Sequence, residues 1–459
     1  MKSVSRLRLL LLIALGFFAS GASCLHAQTR TVTRVVAVGN ASYFVLDDGS
    51  LYAAGQSGWR RFDGLVFISS RVKEVFADGR RVFFLKTDGT LWAYGDNSSG
   101  EFGNGTQTSS TSQPIQVAAD VVSVGPGYNH TLFLKADATL WATGDNSFGQ
   151  FGTGQTSTRP TLTPIQVASG VRSIAAGYTV SLFIKTDGSL WGMGYGRLGT
   201  FGNGELREYA SPTLLGANKS YISARMYLAI SISSSDLFGS GYQNTGLLGP
   251  IIGSVVSSER LIQRGVSKAF LGTSHLLSLK SDGSLWVNGN NEWSQFGNGT
   301  LTSTTTPLQI ATGVAEAAAG EKHSFYLKTD GSLWAMGYNQ YGELADGTTT
   351  ERNTAIKLTQ PAITQQPTAR SVSVGTSVAF SATVTSTGAA TYQWFKDGTA
   401  ISGATATTYS LASTTAASAG NYSLVATNWL GSTTSTVAAL TVISPVSITT
   451  QPTAQTVVA

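Results

Sequence analysis

The peptide LKTDGTLWAYG at residues 85–95 returns almost unchanged as LKTDGSLWAMG at residues 327–337. Its aromatic recurs as Tyr52, Trp92, Trp141, Trp191, Phe238, Trp286 and Trp334, at spacings of 40, 49, 50, 47, 48 and 48 residues. A glycine follows three residues later each time, as Gly55, Gly95, Gly144, Gly194, Gly241, Gly289 and Gly337. Seven units with a period near 50 predict a propeller or a solenoid, because one such unit cannot bury its apolar face alone.

Inside each unit the pattern is β. Phe83, Leu85, Leu91 and Ala93 alternate with their neighbours around Asp88-Gly89, which predicts a tight hairpin turn with positive backbone angles. Asp48-Gly49, Asp187-Gly188, Asp282-Gly283 and Asp330-Gly331 repeat the turn, and Asp137-Ala138 departs from it. The fifth unit, around Asp236 and Phe238, is expected to have lost it. Seven residues beyond the motif glycine stands an apolar residue in every unit: Phe62, Phe102, Phe151, Phe201, Leu248, Phe296 and Leu344. These positions and the recurring aromatic, Trp286 for example, are expected in blade cores.

Three units carry a glycine, two residues and a histidine before the apolar strand: Gly127-Tyr128-Asn129-His130, Gly272-Thr273-Ser274-His275 and Gly320-Glu321-Lys322-His323. Arg81 and Val180 hold the histidine's place elsewhere. With the Asp-Gly, Leu-Trp and Gly-x-Phe-Gly elements, this order resembles the regulator of chromosome condensation repeat family over residues 31–359. The resemblance implies an all-β, seven-bladed propeller closed into a ring. Residues 31–38 look like a first strand without a unit of their own, so they are expected to complete the last blade. The histidines are expected to be structural, each bonding backbone in its own blade.

After Gln360 the composition turns to Ser, Thr, Ala and Val, and Pro361 and Pro367 mark a junction. Residues 361–443 resemble a bacterial immunoglobulin-like β-sandwich, with Trp394 as core tryptophan, Tyr422 as tyrosine corner and a turn over residues 428–431. Leu424 and Ala382 occupy the places of that fold's disulfide, which apolar packing is expected to replace. The TTQPTA of residues 449–454 echoes TQQPTA at residues 364–369, so residues 444–459 read as the start of a second such domain.

At the other end, Lys2, Arg6 and Arg8 precede an apolar run over residues 9–18 and a small-residue stretch, the order of a secretory signal peptide ending at Ala27. That run is too short to span a bilayer. Cys24 is the sole cysteine, and Gly21 three residues before it argues against a lipid anchor. The formal charge of +5 falls to +2 when those three basic residues leave, because no acid leaves with them. No basic stripe announces a nucleic-acid partner.

Chemistry is sparse. His130, His275 and His323 lie on different units, and no run of alternating acids suits calcium. Neither a metal nor a cofactor is expected. Glu101 and Glu343 stand at equivalent places on the second and seventh units and read as surface residues rather than a catalytic pair. The variable position four residues past the motif glycine offers a candidate binding rim: Trp59, Phe148, Trp293 and Tyr341, with Arg197 beside it. These features favour a secreted or cell-surface protein that binds an extracellular protein or polysaccharide. The alternative is a secreted carbohydrate-active enzyme. With export expected, no small GTPase is expected as a partner.

Overall fold

A computed structural model describes residues 29–58, 60–250, 254–446 and 448–455. The expected signal peptide, Cys24 and Trp59 lie outside the described residues. The repeats build seven antiparallel sheets, each from strands consecutive in the chain. The second shows the pattern: Val72–Ala77, Arg81–Lys86, Thr90–Asn97 and Thr108–Ala119, from the channel outward. The apolar residue seven beyond the motif glycine is buried in all seven blades, from Phe62 at 1% exposure to Leu344 at 0%.

Three expectations about the blades are corrected. The strand Val32–Val38 does not complete the last blade: it pairs with Asn40–Leu46 in the first sheet, and the seventh holds four strands of its own. The ring therefore closes by packing between the first and last blades, without strand exchange. In the Asp-Gly turns the glycine alone takes a positive φ, 82° at Gly89, while the aspartate carboxylate accepts the N–H of Thr90 at 3.0 Å. The fifth blade keeps its turn, because Ser234 and Ser235 adopt φ of 51° and 66° and leave Ser233 paired with Asp236.

The motif aromatic is a further correction. Trp286 is half-buried, and the core beside it is Leu285 and Val287, both fully buried. Its Nε1 donates to Ser284 Oγ at 2.9 Å and Lys280 Nζ lies 4.5 Å from the ring centroid. The same trio recurs at Trp92, Trp141, Trp191 and Trp334. The aromatic thus roofs the blade edge with a lysine over it.

The histidines sit at the joints between blades. His130 Nε2 lies 3.0 Å from Ser181 Oγ, His275 Nε2 2.7 Å from Ser324 Oγ, and His323 Nε2 2.9 Å from Ser42 Oγ. Each pair joins a blade to the next, so the bond expected to backbone within one blade is instead a staple across two. Where histidine is absent the serine is absent as well. Ala41 shares an apolar cluster with the next blade's Val82, Val180 with Ala229, and Leu228 with Leu276. At the remaining joint Arg81 donates to the carbonyls of Gly127 and Tyr128 at 2.9 and 2.8 Å. Burial in apolar surroundings pushes the imidazole of His130 down to about 4 and those of His275 and His323 to about 3.

The motif glycine supports this joint. It pairs across the hairpin with the joint residue, as His323 with Gly337. A Cβ on Gly337 would lie 2.5 Å from the Lys322 carbonyl oxygen.

The second domain is an immunoglobulin-like sandwich. Trp394 and Leu424 are fully buried and Ala382 nearly so, and Tyr422 Oη donates to the Ser418 carbonyl at 2.7 Å. The domain is clamped to the propeller at the seam between blades seven and one. Leu430 is buried in the same cluster as Val32, Phe44, Phe325 and Leu333, with Trp429 packed against it. The Trp429 ring lies 5.1 Å from that of Phe44, and Arg30 N donates to the Leu430 carbonyl at 2.9 Å.

Candidate functional site

Antiparallel strands place the turn after each first strand and the loop after each third strand on one face, and the Asp-Gly turns on the other. Backbone bonds tie the two sets together: Asp145 N donates to the Asn129 carbonyl at 2.8 Å and Tyr338 N to the Lys322 carbonyl at 3.0 Å. This face carries Phe148, Arg197, Trp293 and Tyr341 of the predicted rim around a central channel mouth.

Trp293 and Tyr341, from the loops of blades six and seven, flank Tyr338. The ring centroids of Trp293 and Tyr338 are 5.2 Å apart and those of Tyr338 and Tyr341 6.1 Å. Lys322 Nζ lies 4.6 Å from the Trp293 ring, and the Arg61 guanidinium 5.5 Å from that of Tyr341. Both predicted aromatics are half-buried and lean on this shared neighbour. Phe148, at the edge of exposure with 36%, meets Tyr195 of the next blade at 5.3 Å. Arg197 is exposed and pairs with Glu208 at 3.1 Å. Phe148 and Arg197 therefore belong to a different sector of the face from Trp293 and Tyr341.

Glu101 and Glu343, expected at the surface, are both fully buried. Glu101 accepts from Arg81 at 2.8 Å and from the Ser99 N–H at 2.8 Å. Glu343 accepts the Tyr341 N–H at 2.9 Å, but its Oε1 has no partner. Burial pushes its carboxyl up to about 7. In blades three and six the same place holds Gln150 and Gln295, whose amide nitrogens donate to Asp145 and Asn290. The two glutamates hold loops and do not flank a cleft. Among the described residues no group of histidine, cysteine and acids is placed to hold a metal.

The channel mouth, which no repeating motif marks, is a cavity of about 530 Å³ lined by Asp78, Tyr128, Tyr178, Arg225, Thr273 and Glu321 among others. Tyr128, Tyr178 and Tyr227 come from blades three, four and five and follow one another at 4.6 and 5.3 Å. The available signal lies in the motif's exceptions. Asp78 and Arg225 stand where four units have the glycine of Gly-x-x-His. On Gly127 or Gly320 a Cβ would lie 2.4 Å from the histidine ring, so histidine at the joint demands glycine there. Units without the histidine are free to place a charge over the channel.

Residues 88–134, 121–150, 282–327 and 314–343 match the regulator of chromosome condensation (RCC1) repeat, and residues 360–428 match the immunoglobulin domain. A comparison with curated proteins found no match. Among solved structures, human WBSCR16 is similar over 64% of this chain and 84% of its own, at 20% identity and a TM-score of 0.58. Prp20p from Saccharomyces cerevisiae is similar over 62% of this chain and 76% of its own, at 17% identity and a TM-score of 0.55. Yeast RCC1 (Prp20), in a structure with Kap60, is similar over 78% of this chain and 90% of its own, at 15% identity and a TM-score of 0.58. Prp20p has binding properties to Gsp1p, a small GTPase, and to histones. That finding overturns the exclusion of a small GTPase, which rested on residues 1–27 and not on the propeller. Residues 88–150 and 282–343 thus carry regulator of chromosome condensation repeats, in a chain folded as a seven-bladed β-propeller with an immunoglobulin-like domain clamped to the ring.

Proposed function

We propose that this chain is an exported binding protein whose propeller recognises a protein partner through the face bearing the channel mouth and the aromatic rim. The observation that carries the reading is the Trp293–Tyr338–Tyr341 cluster with Lys322 and Arg61 stacked on its rings. Tryptophan, tyrosine and arginine are the residues most often found at binding hot spots, and rings already fixed against each other lose little freedom on association. The basic, apolar and small-residue order of residues 1–27 supports export. The test is capture of partners by the mature chain from envelope proteins, cell-surface polysaccharides and purified small GTPases. A Trp293→Ala/Tyr341→Ala variant that folds should bind the captured partner at least about tenfold more weakly, or 1.4 kcal/mol. Unchanged affinity removes the rim from the reading, and capture of polysaccharide alone removes the protein partner.

A further inference from the structure

The channel mouth is lined by two opposite charges, Arg225 and Glu321, that form no ion pair with each other. Arg225 donates through Nε to Thr273 Oγ1 at 3.1 Å, and among the described residues its guanidinium forms no ion pair. Glu321 is tied down through its backbone, its N–H to the Gly39 carbonyl at 2.9 Å and its carbonyl to Ser274 Oγ at 3.0 Å. Glu321 lines the same cavity as Arg225. The third charge there, Asp78, is engaged by Arg81 at 2.8 Å.

Tyr128 and Tyr178 line the same cavity and are fixed in place. Tyr178 is wedged between Tyr128 and Tyr227, and Arg80 covers one face of Tyr128 at 4.5 Å. Ile174, Ile222 and Leu271 add apolar surface to the lining.

The charge pattern selects the ligand class. A simple anion would meet Arg225 but be repelled by Glu321, and a simple cation the reverse. A neutral ligand that filled the cavity would strip water from both groups and leave them unpaired. A molecule carrying both charges satisfies each, and a cavity of about 530 Å³ lies within the ordinary range for small-ligand sites.

We propose that the channel mouth binds a free α-amino acid or short unblocked peptide, its carboxylate on Arg225, its ammonium on Glu321 and an apolar side chain against Tyr128 and Tyr178. The guanidinium offers the carboxylate a planar, two-pronged donor. The site is separate from the aromatic rim and does not depend on a protein partner being found.

The experiment is calorimetric titration of the full chain with the free proteinogenic amino acids and the unblocked dipeptides of leucine and phenylalanine. The same compounds N-acetylated or C-amidated serve as comparison. The expected result is binding of free compounds with apolar side chains and at least a tenfold loss on blocking either end. Arg225→Gln should weaken the free compounds at least tenfold but leave the C-amides no weaker than before. Glu321→Gln should do the same for the ammonium and the N-acetyl derivatives. Binding by the dipeptides alone would identify the ligand as a peptide. No binding by any free compound, or equal affinity of free and blocked forms in the unmodified chain, overturns the proposal whether or not the variants fold.

Discussion

His323 Nε2 and Ser42 Oγ meet at 2.9 Å although 281 residues separate them, and this bond fastens the last blade to the first. Apart from the Arg81 joint, the identity of each joint is a matched choice: histidine where the next blade presents serine, an aliphatic residue where it presents an aliphatic one. Removing one member leaves a buried polar group without its partner, at a cost of about 1–3 kcal/mol. His323→Leu and Ser42→Ala should therefore each destabilise by that amount, while the double variant, which recreates an aliphatic joint, should lose less than the sum. Urea unfolding in a double-mutant cycle measures the coupling. Strict additivity would mean that the two residues do not act as a pair.

The same joints set a pH dependence. Three buried imidazoles held below their ordinary value of 6.5 stay neutral in the folded ring and take up protons when it unfolds. Their contribution is fully present above pH 6.5 and is lost as pH falls toward about 4 and 3. Each histidine adds about 1.4 kcal/mol per pH unit to the slope within that window. The urea midpoint should fall between pH 6.5 and 5, more gently in the His323→Leu/Ser42→Ala variant. An equal slope in both proteins would show that His323 titrates alike folded and unfolded.

Glu343 works in the opposite sense. With its carboxyl raised to about 7 and Oε1 unpartnered, the folded state favours the protonated form. That advantage is complete below the unfolded value near 4.5 and disappears as pH rises through 7. Glu343→Gln installs the side chain that blades three and six already use. It should stabilise the protein at pH 8 by about 1–3 kcal/mol and little at pH 4. Thermal melts at the two pH values test this, and an equal gain at both would refute the assignment.

The correction at the motif aromatic also has a measurable form. Leu285 is fully buried and Trp286 half-buried. Leu285→Ala should cost about 2–5 kcal/mol, and Trp286→Ala less, despite removing the larger side chain. Trp286 and Trp293 do not divide into core and surface either, since both are half-buried. Denaturation midpoints of Leu285→Ala and Trp286→Ala decide the order.

What the sequence revealed and what it hid follow from how each feature is encoded. Positions that every blade needs for packing repeat visibly, so the seven residues from Phe62 to Leu344 and the tyrosine corner could be read directly. The fully buried Glu101 and Glu343 could not, because a carboxylate in a linear motif looks the same facing water or facing the Arg81 of its own blade. Trp293 and Tyr341 could be singled out, but not the intervening Tyr338. The His–Ser staples were present as a pattern, yet the partner lies about one unit away for His130 and His275 and 281 residues away for His323, outside the window in which a local motif is read. Arg225 was hidden for another reason: it marks the absence of a glycine, and an absent motif residue reads as decay.

The seam has a consequence for the order in which the ring can form. Each blade is contiguous in sequence, so the first six can assemble one after another from short-range pairings. The apolar flank of the first blade, Val32 and Phe44, packs against residues of the last blade and the second domain, Phe325, Leu333 and Leu430 among them. Those residues follow about three hundred or more positions later in the chain. Closing so long a loop is slow, and an uncovered apolar edge is open to association with other chains in the meantime. The immunoglobulin-like domain, delivering Trp429 and Leu430 to the seam, thereby supplies part of the cover on which a closed ring depends.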